Sequence, residues 1–218
     1  MRQLTEKFRP PNLAAVCGQP AVVRDMRAWL SDPYSVAFLF TGETGTGKST
    51  TGLALAAELG CGDGELGGVF EIASGEMDAE SVRHVQHQLR FRPMTGSGWR
   101  VIVCNECDQM SHKASVVWLD VLEHLPQRCV VVFTTNDASG LPQRFRDRCE
   151  CYQFEGRAAV LMPSVLDYCK RIWSVECPGV PFTAQRLGIT GLGGGSASFR
   201  LAVQQLVPMI RQAKGVMA

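Results

Sequence analysis

The chain has 218 residues, 45% of them hydrophobic, with 22 basic and 21 acidic side chains and a formal net charge of +1. That length supports one full core plus a small second domain, and so even a balance sets up no global field toward nucleic acid, so any such contact must come from a local patch. No apolar run approaches the roughly 18 residues of a membrane span, and "MRQLTEKFRPPN" has no apolar stretch of the kind an export signal carries. The nine scattered cysteines therefore read as small buried hydrophobes in a reducing cytoplasm.

From residue 35 the chain alternates strand and helix patterns. "SVAFLFT" (35–41) is apolar enough for a strand buried on both faces. A Gly-rich turn follows, and then a helix at "KSTTGLALAAEL" (48–59). "GVFEIAS" (68–74) predicts a second strand, and "MDAESVRHVQHQLRFR" (77–92) predicts a helix with Asp78 at its start. The strand "WRVIVCN" (99–105), a helix over 112–125 and the strand "CVVVFTT" (129–135) continue the pattern, and "CYQF" (151–154) closes it. Repeated βα units with apolar strands predict a doubly wound parallel sheet. After Gly156 no strand pattern returns. Helices are expected near 157–173, 183–189 and 196–213, broken by Pro178, Pro181 and the Gly191–Gly195 run. The expected organisation is thus an α/β domain over 1–155 and a small all-α domain over 156–218.

"GETGTGKST" places G-x-x-x-x-G-K-[ST] at Gly42–Ser49, between a predicted strand and a predicted helix, the context a phosphate-binding P-loop requires. Its glycines let backbone N–H groups close around phosphate oxygens, and the helix N-terminus adds its dipole. The candidate phosphate cradle is Gly42, Glu43, Thr44, Gly45, Thr46, Gly47, Lys48, Ser49 and Thr50. In it Lys48 reaches the β- and γ-phosphates and Ser49 ligates magnesium, so ATP and Mg²⁺ are the expected ligands. "RVIVCNECDQM" (100–110) then takes its place. A later strand of such a fold ends in acids beside the metal, and only this one offers a comparable pair, Asn105-Glu106. The C-x-x-C formed by Cys104 and Cys107 has no second Cys/His pair to complete four ligands. His84 and His87, one helical turn apart, read as helix surface.

With these motifs in order, the sequence resembles the clamp-loader branch of the AAA+ ATPases, the replication factor C small subunits and the bacterial γ/τ subunits. "LTEKFRPPNLAAVCGQPAVV" is similar to the family's opening segment, "NECDQMS" to its Walker B, "FTTNDASGLPQRFRDRCECYQF" to the run from sensor 1 to the S-R-C box, and "GSASFRLAV" to the start of the sensor 2 helix. The resemblance implies a P-loop core with a helical lid. It puts Arg9, Pro10 and Val16 on the adenine side, Asn105 with Ser49 at the metal, and Glu106 at the attacking water. It further implies Asn136 as sensor 1, Arg148 as an arginine finger acting on a neighbour's ATP, and Arg200 as sensor 2. The implied partners are further clamp-loader subunits in a ring or spiral, a sliding clamp, and primed DNA touched through its backbone by Arg83, Arg90 and Lys113; a solvated basic face is the alternative reading of Arg83, Arg90 and Arg92. No membrane role is implied.

Three departures accompany the match. Asn105 stands where the family has Asp, Asp147 replaces the serine of S-R-C and could draw Arg148 away from a partner's phosphate, and the collar domain that normally follows the lid is not in this sequence. Two other functions stay open beside an ATP-hydrolysing clamp-loader subunit: an ATP-binding assembly subunit that scarcely hydrolyses, and another DNA-associated AAA+ role such as a Holliday-junction motor.

Overall fold

A computed structural model describes residues 4–62, 64–73, 77–183 and 195–216. All but the first residue of the helix expected at 183–189 lies outside them. In chain order the elements are α1 (Leu4–Lys7), a 3-10 turn (Leu13–Ala15), α2 (Pro20–Leu30), β1 (Val36–Thr41), α3 (Lys48–Glu58), α4 (Gly64–Gly67), β2 (Val69–Ile72) and α5 (Ala79–Gln88). There follow β3 (Arg100–Cys104), a second 3-10 turn (Cys107–Gln109), α6 (His112–Glu123), β4 (Cys129–Thr135), α7 (Gln143–Arg146), β5 (Glu150–Gln153), α8 (Ala158–Glu176) and α9 (Phe199–Val216). The five strands pair in parallel in the order β2-β3-β4-β1-β5, the doubly wound sheet that the apolar strands predict.

Strand alternation sorts one sheet into two cores, because successive side chains point to opposite faces. Ala37, Leu39, Ile102, Val131 and Phe133 meet Trp118, Val82 and Phe145 on the face covered by α5, α6 and α7. Phe38, Phe40, Val101, Val103 and Val132 meet α2 and α3 on the other, through Met26, Trp29, Ala54 and Leu55. Cys104 and Cys107 are buried in the first core, and burial pushes both thiols up.

The sequence places every strand, but some ends shift. The strand expected at 68–74 forms over Val69–Ile72 alone. The helix expected at 77–92 starts at Ala79, where Asp78 accepts the N–H groups of Glu80 and Ser81, and ends at Gln88. Helix α2 was not anticipated, although Val22, Met26 and Trp29 recur at helical spacing and are its buried residues.

Helices α8 and α9 build a third core from Leu161, Val165, Ile172, Trp173, Leu206 and Ile210, against which Leu4 and Phe8 also pack. The N-terminal segment is tied to this helical layer. Tyr168 donates its hydroxyl to the Phe8 carbonyl, and buried Glu176 accepts from both Lys7 and Lys214. The Lys214 and Lys7 ammonium groups hold the Glu176 carboxyl below its ordinary pKa. Among the described residues no helix is long and apolar enough to cross a membrane.

Candidate functional site

A cleft of about 840 Å³ lies where the β1–α3 loop, the ends of β3 and β4, the N-terminal segment and the helical lid converge. The loop is shaped by glycine. Gly45 (φ +80°) and Gly47 (φ +104°) sit in the left-handed region, where a side chain is strained. A β-carbon on Gly45 would also collide with Ser198 Oγ, so the lid bears directly on the loop there. Gly47 caps α3 without a side chain, which leaves the first N–H groups of the helix open toward the cleft.

Lys48 heads that helix and is 8% exposed. Its ammonium donates to the Gly42 carbonyl at 2.5 Å, the Glu43 carbonyl at 2.8 Å and Asn136 Oδ1 at 3.1 Å. Burial, helped by the positive charge of Arg200, lowers its pKa to about 8, against the opposing pull of Asp108, Glu106 and Glu43. Asn136 follows β4 and also accepts from the Thr44 hydroxyl at 3.2 Å. The Ser49 hydroxyl donates to Asn105 Oδ1 at 2.5 Å, and the Thr134 hydroxyl approaches the same oxygen at 3.4 Å. Glu106 has a left-handed backbone (φ +53°), rare for a non-glycine residue, and its carboxylate accepts from Gln109 at 3.2 Å.

The donor set at Ser49, Asn105 and Glu106 is all oxygen, the type a magnesium ion takes, so the residues present fit that ion. Asn105 contributes a neutral amide where a carboxylate would add charge.

The lid closes the other side. Phe199 donates its backbone N–H to the Gly45 carbonyl at 2.9 Å, and Arg200, next along α9, lines the cleft. Arg9, Pro10 and Val16 line it from the N-terminal segment, with Arg9 held by Glu6 at 2.7 Å and by Glu71 at 3.6 Å. Of the expected phosphate cradle, Thr44, Gly45, Gly47, Lys48, Ser49 and Thr50 face the cleft. Gly42 and Glu43 instead supply carbonyls to Lys48, and Thr46 is fully buried with its hydroxyl on the Glu43 carbonyl.

The remaining expected residues stand outside. Arg148, after α7, pairs with the Glu123 carboxylate of α6 and donates to the Arg144 carbonyl at 2.7 Å. Asp147 does not hold it, as the neighbouring position suggested. Its carboxylate turns back along its own helix to accept from Gln143, four residues earlier. Arg83, Arg90 and Lys113 are exposed, the first two on or just past α5 and the third on α6, two helices that pack together. His84 and His87 are exposed on α5, with the His87 ring 5.3 Å from Phe91.

Sequence reasoning missed Thr134, Tyr168, Phe199 and Val203 at the cleft, which only the fold brings there. It also gave no role to Gln19, although "GQ" was part of the resemblance.

Comparison with known proteins adds to this geometry. Residues 67–158 match the family model described as "DNA polymerase III, delta subunit". The chain is 27% identical over 205 residues to a replication factor C small subunit of Archaeoglobus fulgidus, covering 92% of this chain and 61% of that protein. It is 24% identical over 168 residues to the DNA polymerase III subunit tau of Bacillus subtilis, covering 68% of this chain and 30% of that protein. The chain thus spans less than two thirds of the curated relatives it matches. In fold it resembles the RuvB Holliday junction branch migration motor of Thermotoga maritima, with TM-score 0.74 and 16% identity, covering 97% of this chain and 68% of that one. It also resembles a DNA polymerase III gamma-subunit-related protein of the same organism, with TM-score 0.56 and 12% identity, covering 89% of this chain and 78% of that one.

Proposed function

We propose that this chain, a relative of the clamp-loader subunits among the AAA+ P-loop ATPases, binds ATP with Mg²⁺ between its core and its lid and hydrolyses it within an assembly that loads a sliding clamp on primed DNA. The observation that carries this reading is the convergence of Lys48, Ser49–Asn105, Glu106, Asn136 and Arg200 on one cleft, under the open N-terminus of α3. Phosphoryl transfer is mostly a matter of positioning and of placing positive charge around the γ-phosphate. The N–H groups of the loop and of α3 take the phosphate oxygens, and Lys48 exchanges its loop carbonyls for them. Magnesium, when bound, neutralises phosphate charge. Glu106 accepts a proton from the attacking water, Asn136 orients that water or the γ-phosphate, and Arg200 reaches the γ-phosphate from the lid. Arg148 lies outside its own cleft and serves a neighbour's. Arg83, Arg90 and Lys113 touch DNA phosphates without reading sequence, so that contact weakens as salt rises.

A second reading, an assembly subunit that binds ATP and scarcely hydrolyses it, is favoured by one observation: the Ser49 hydroxyl meets a neutral amide at Asn105. Steady-state ATPase with and without primed DNA separates the two. Calorimetric titration of ATP into wild-type and Lys48→Ala protein tests their common base, and equal affinity in both proteins removes it.

A further inference from the structure

Gln19 is 2% exposed, among the most buried polar side chains in the described chain. Its amide nitrogen donates to the Thr46 carbonyl of the phosphate loop at 3.2 Å and to the Glu155 carbonyl at 3.0 Å, and its amide oxygen accepts the Glu155 N–H at 2.9 Å. One side chain therefore holds both backbone groups of Glu155 and one backbone group of the loop.

Glu155 is where core becomes lid. Phe154, just before it, is hydrogen-bonded to Thr41 at the end of β1. Gly156, just after it, accepts from Ala197, and Ala158 donates to Gly195, so the starts of α8 and α9 meet at this point. Gly18 is wedged there too. It has a φ of +76°, and a β-carbon would run into Leu161 of α8. The lid then has two purchases on the phosphate loop. One is the Phe199–Gly45 contact beside Arg200, and the other is the hinge held by Gln19.

We infer that Gln19 is a positioning residue that couples the phosphate loop to the lid hinge, so that the loop's state sets how Arg200 meets the γ-phosphate. The physical basis is geometric. Thr46 lies in the segment whose N–H groups close on phosphate, and a shift of its carbonyl must be followed by Gln19 or cost a buried donor its acceptor. Through the same amide, that shift reaches Glu155 and the base of both lid helices. An apolar residue of the same length would make none of these three hydrogen bonds and so would transmit nothing. The inference rests on the reading of the loop as an ATP site and of Arg200 as its γ-phosphate contact.

The test compares binding of a non-hydrolysable ATP analogue with binding of ADP, whose difference reports the γ-phosphate. Gln19→Met keeps side-chain length and removes all three hydrogen bonds. Gln19→Glu keeps the acceptor for the Glu155 N–H and loses both donations, which provides a second variant if the first folds poorly. The expected result is that either change narrows the analogue-to-ADP affinity ratio about fivefold or more, the scale of coupling between linked sites. Arg200→Ala should narrow the ratio in wild type and add nothing further in the Gln19→Met background. A Gln19 variant that melts earlier yet keeps the wild-type ratio, while Arg200→Ala abolishes it, shows a side chain that merely packs, and the coupling is refuted. If Arg200→Ala leaves the ratio unchanged in wild type, the sensor reading fails and takes this inference with it. If ADP and the analogue both fail to bind wild type, the site itself has been misread.

Discussion

At Lys48, burial and the Arg200 charge bring the pKa down from 10.5 to about 8, and phosphate should push it back up. ATP binding above about pH 8 must therefore take up a proton, and observed affinity should fall as pH rises through that value. Calorimetry in buffers of different ionisation enthalpy reads the uptake directly, and Lys48→Ala should lack it. The same shift has a stability consequence of defined sign. A lysine whose folded pKa lies below its unfolded one costs stability while it is charged. That cost is complete below about pH 8 and is relieved as pH rises toward 10.5. Without nucleotide, then, stability in urea unfolding should rise between about pH 8 and 10, and Lys48→Met should lose that part of the rise. At Asn105, restoring a carboxylate should lower the magnesium concentration needed for turnover, since the Ser49 hydroxyl already meets this side chain. An Asn105→Asp protein with unchanged magnesium dependence would place the residue away from the metal.

The elements explain why these side chains arrive where they do. Strand β3 is buried along its whole length, so its end at Cys104 delivers Asn105 and Glu106 to the cleft. Helix α6, which follows, begins at a Ser111 cap that accepts the Ala114 N–H at 3.1 Å. Ser111→Ala should cost about 1 kcal/mol, measured by urea unfolding, and leave nucleotide affinity unchanged. Gly45 makes the opposite case. Gly45→Ala meets both the left-handed backbone and Ser198 of the lid. It should cost about 1–2 kcal/mol from backbone conformation and should weaken ATP binding as well, because the Phe199–Gly45 contact opens. Loss of stability with full ATP affinity would mean that the lid contact contributes nothing to the site.

At the scale of the whole molecule, the finger role proposed for Arg148 predicts a site that is completed by a neighbour. It is paired inside its own chain with Glu123, away from its own cleft. Isolated protein should bind ATP and turn it over slowly, and specific activity should rise with protein concentration or with added partner subunits. Arg148→Ala should remove that rise without changing ATP affinity. Mixing it with Lys48→Ala protein should restore part of the activity, since each chain then supplies what the other lacks. No rescue, together with wild-type behaviour of Arg148→Ala at every concentration, would end the trans-acting reading.

Much of the core was legible in the sequence. Strands buried on both faces are continuous apolar runs, and the glycine spacing of 42–47 specifies a backbone shape, so the parallel strands and the glycine turn between β1 and α3 could be read locally. Helix α2 carries the same kind of local signal in the helical spacing of Val22, Met26 and Trp29. Other features depend on residues far apart in the chain and had no local signal. Asp147 stands next to Arg148 in sequence, yet helix geometry turns it to Gln143, and the packing of α6 brings Glu123 to the arginine instead. Lys7 and Lys214 meet on Glu176 only because the N-terminal segment lies against the lid. Gln19 belongs to the "GQ" of the opening segment, but its place between Thr46 and Glu155 exists only once core and lid have closed around it. Local hydrophobic pattern and backbone freedom are properties of neighbouring residues and could be read from the chain. Buried hydrogen bonds and ion pairs between distant segments arise only when folding removes water from both partners, and those the tertiary structure alone decided.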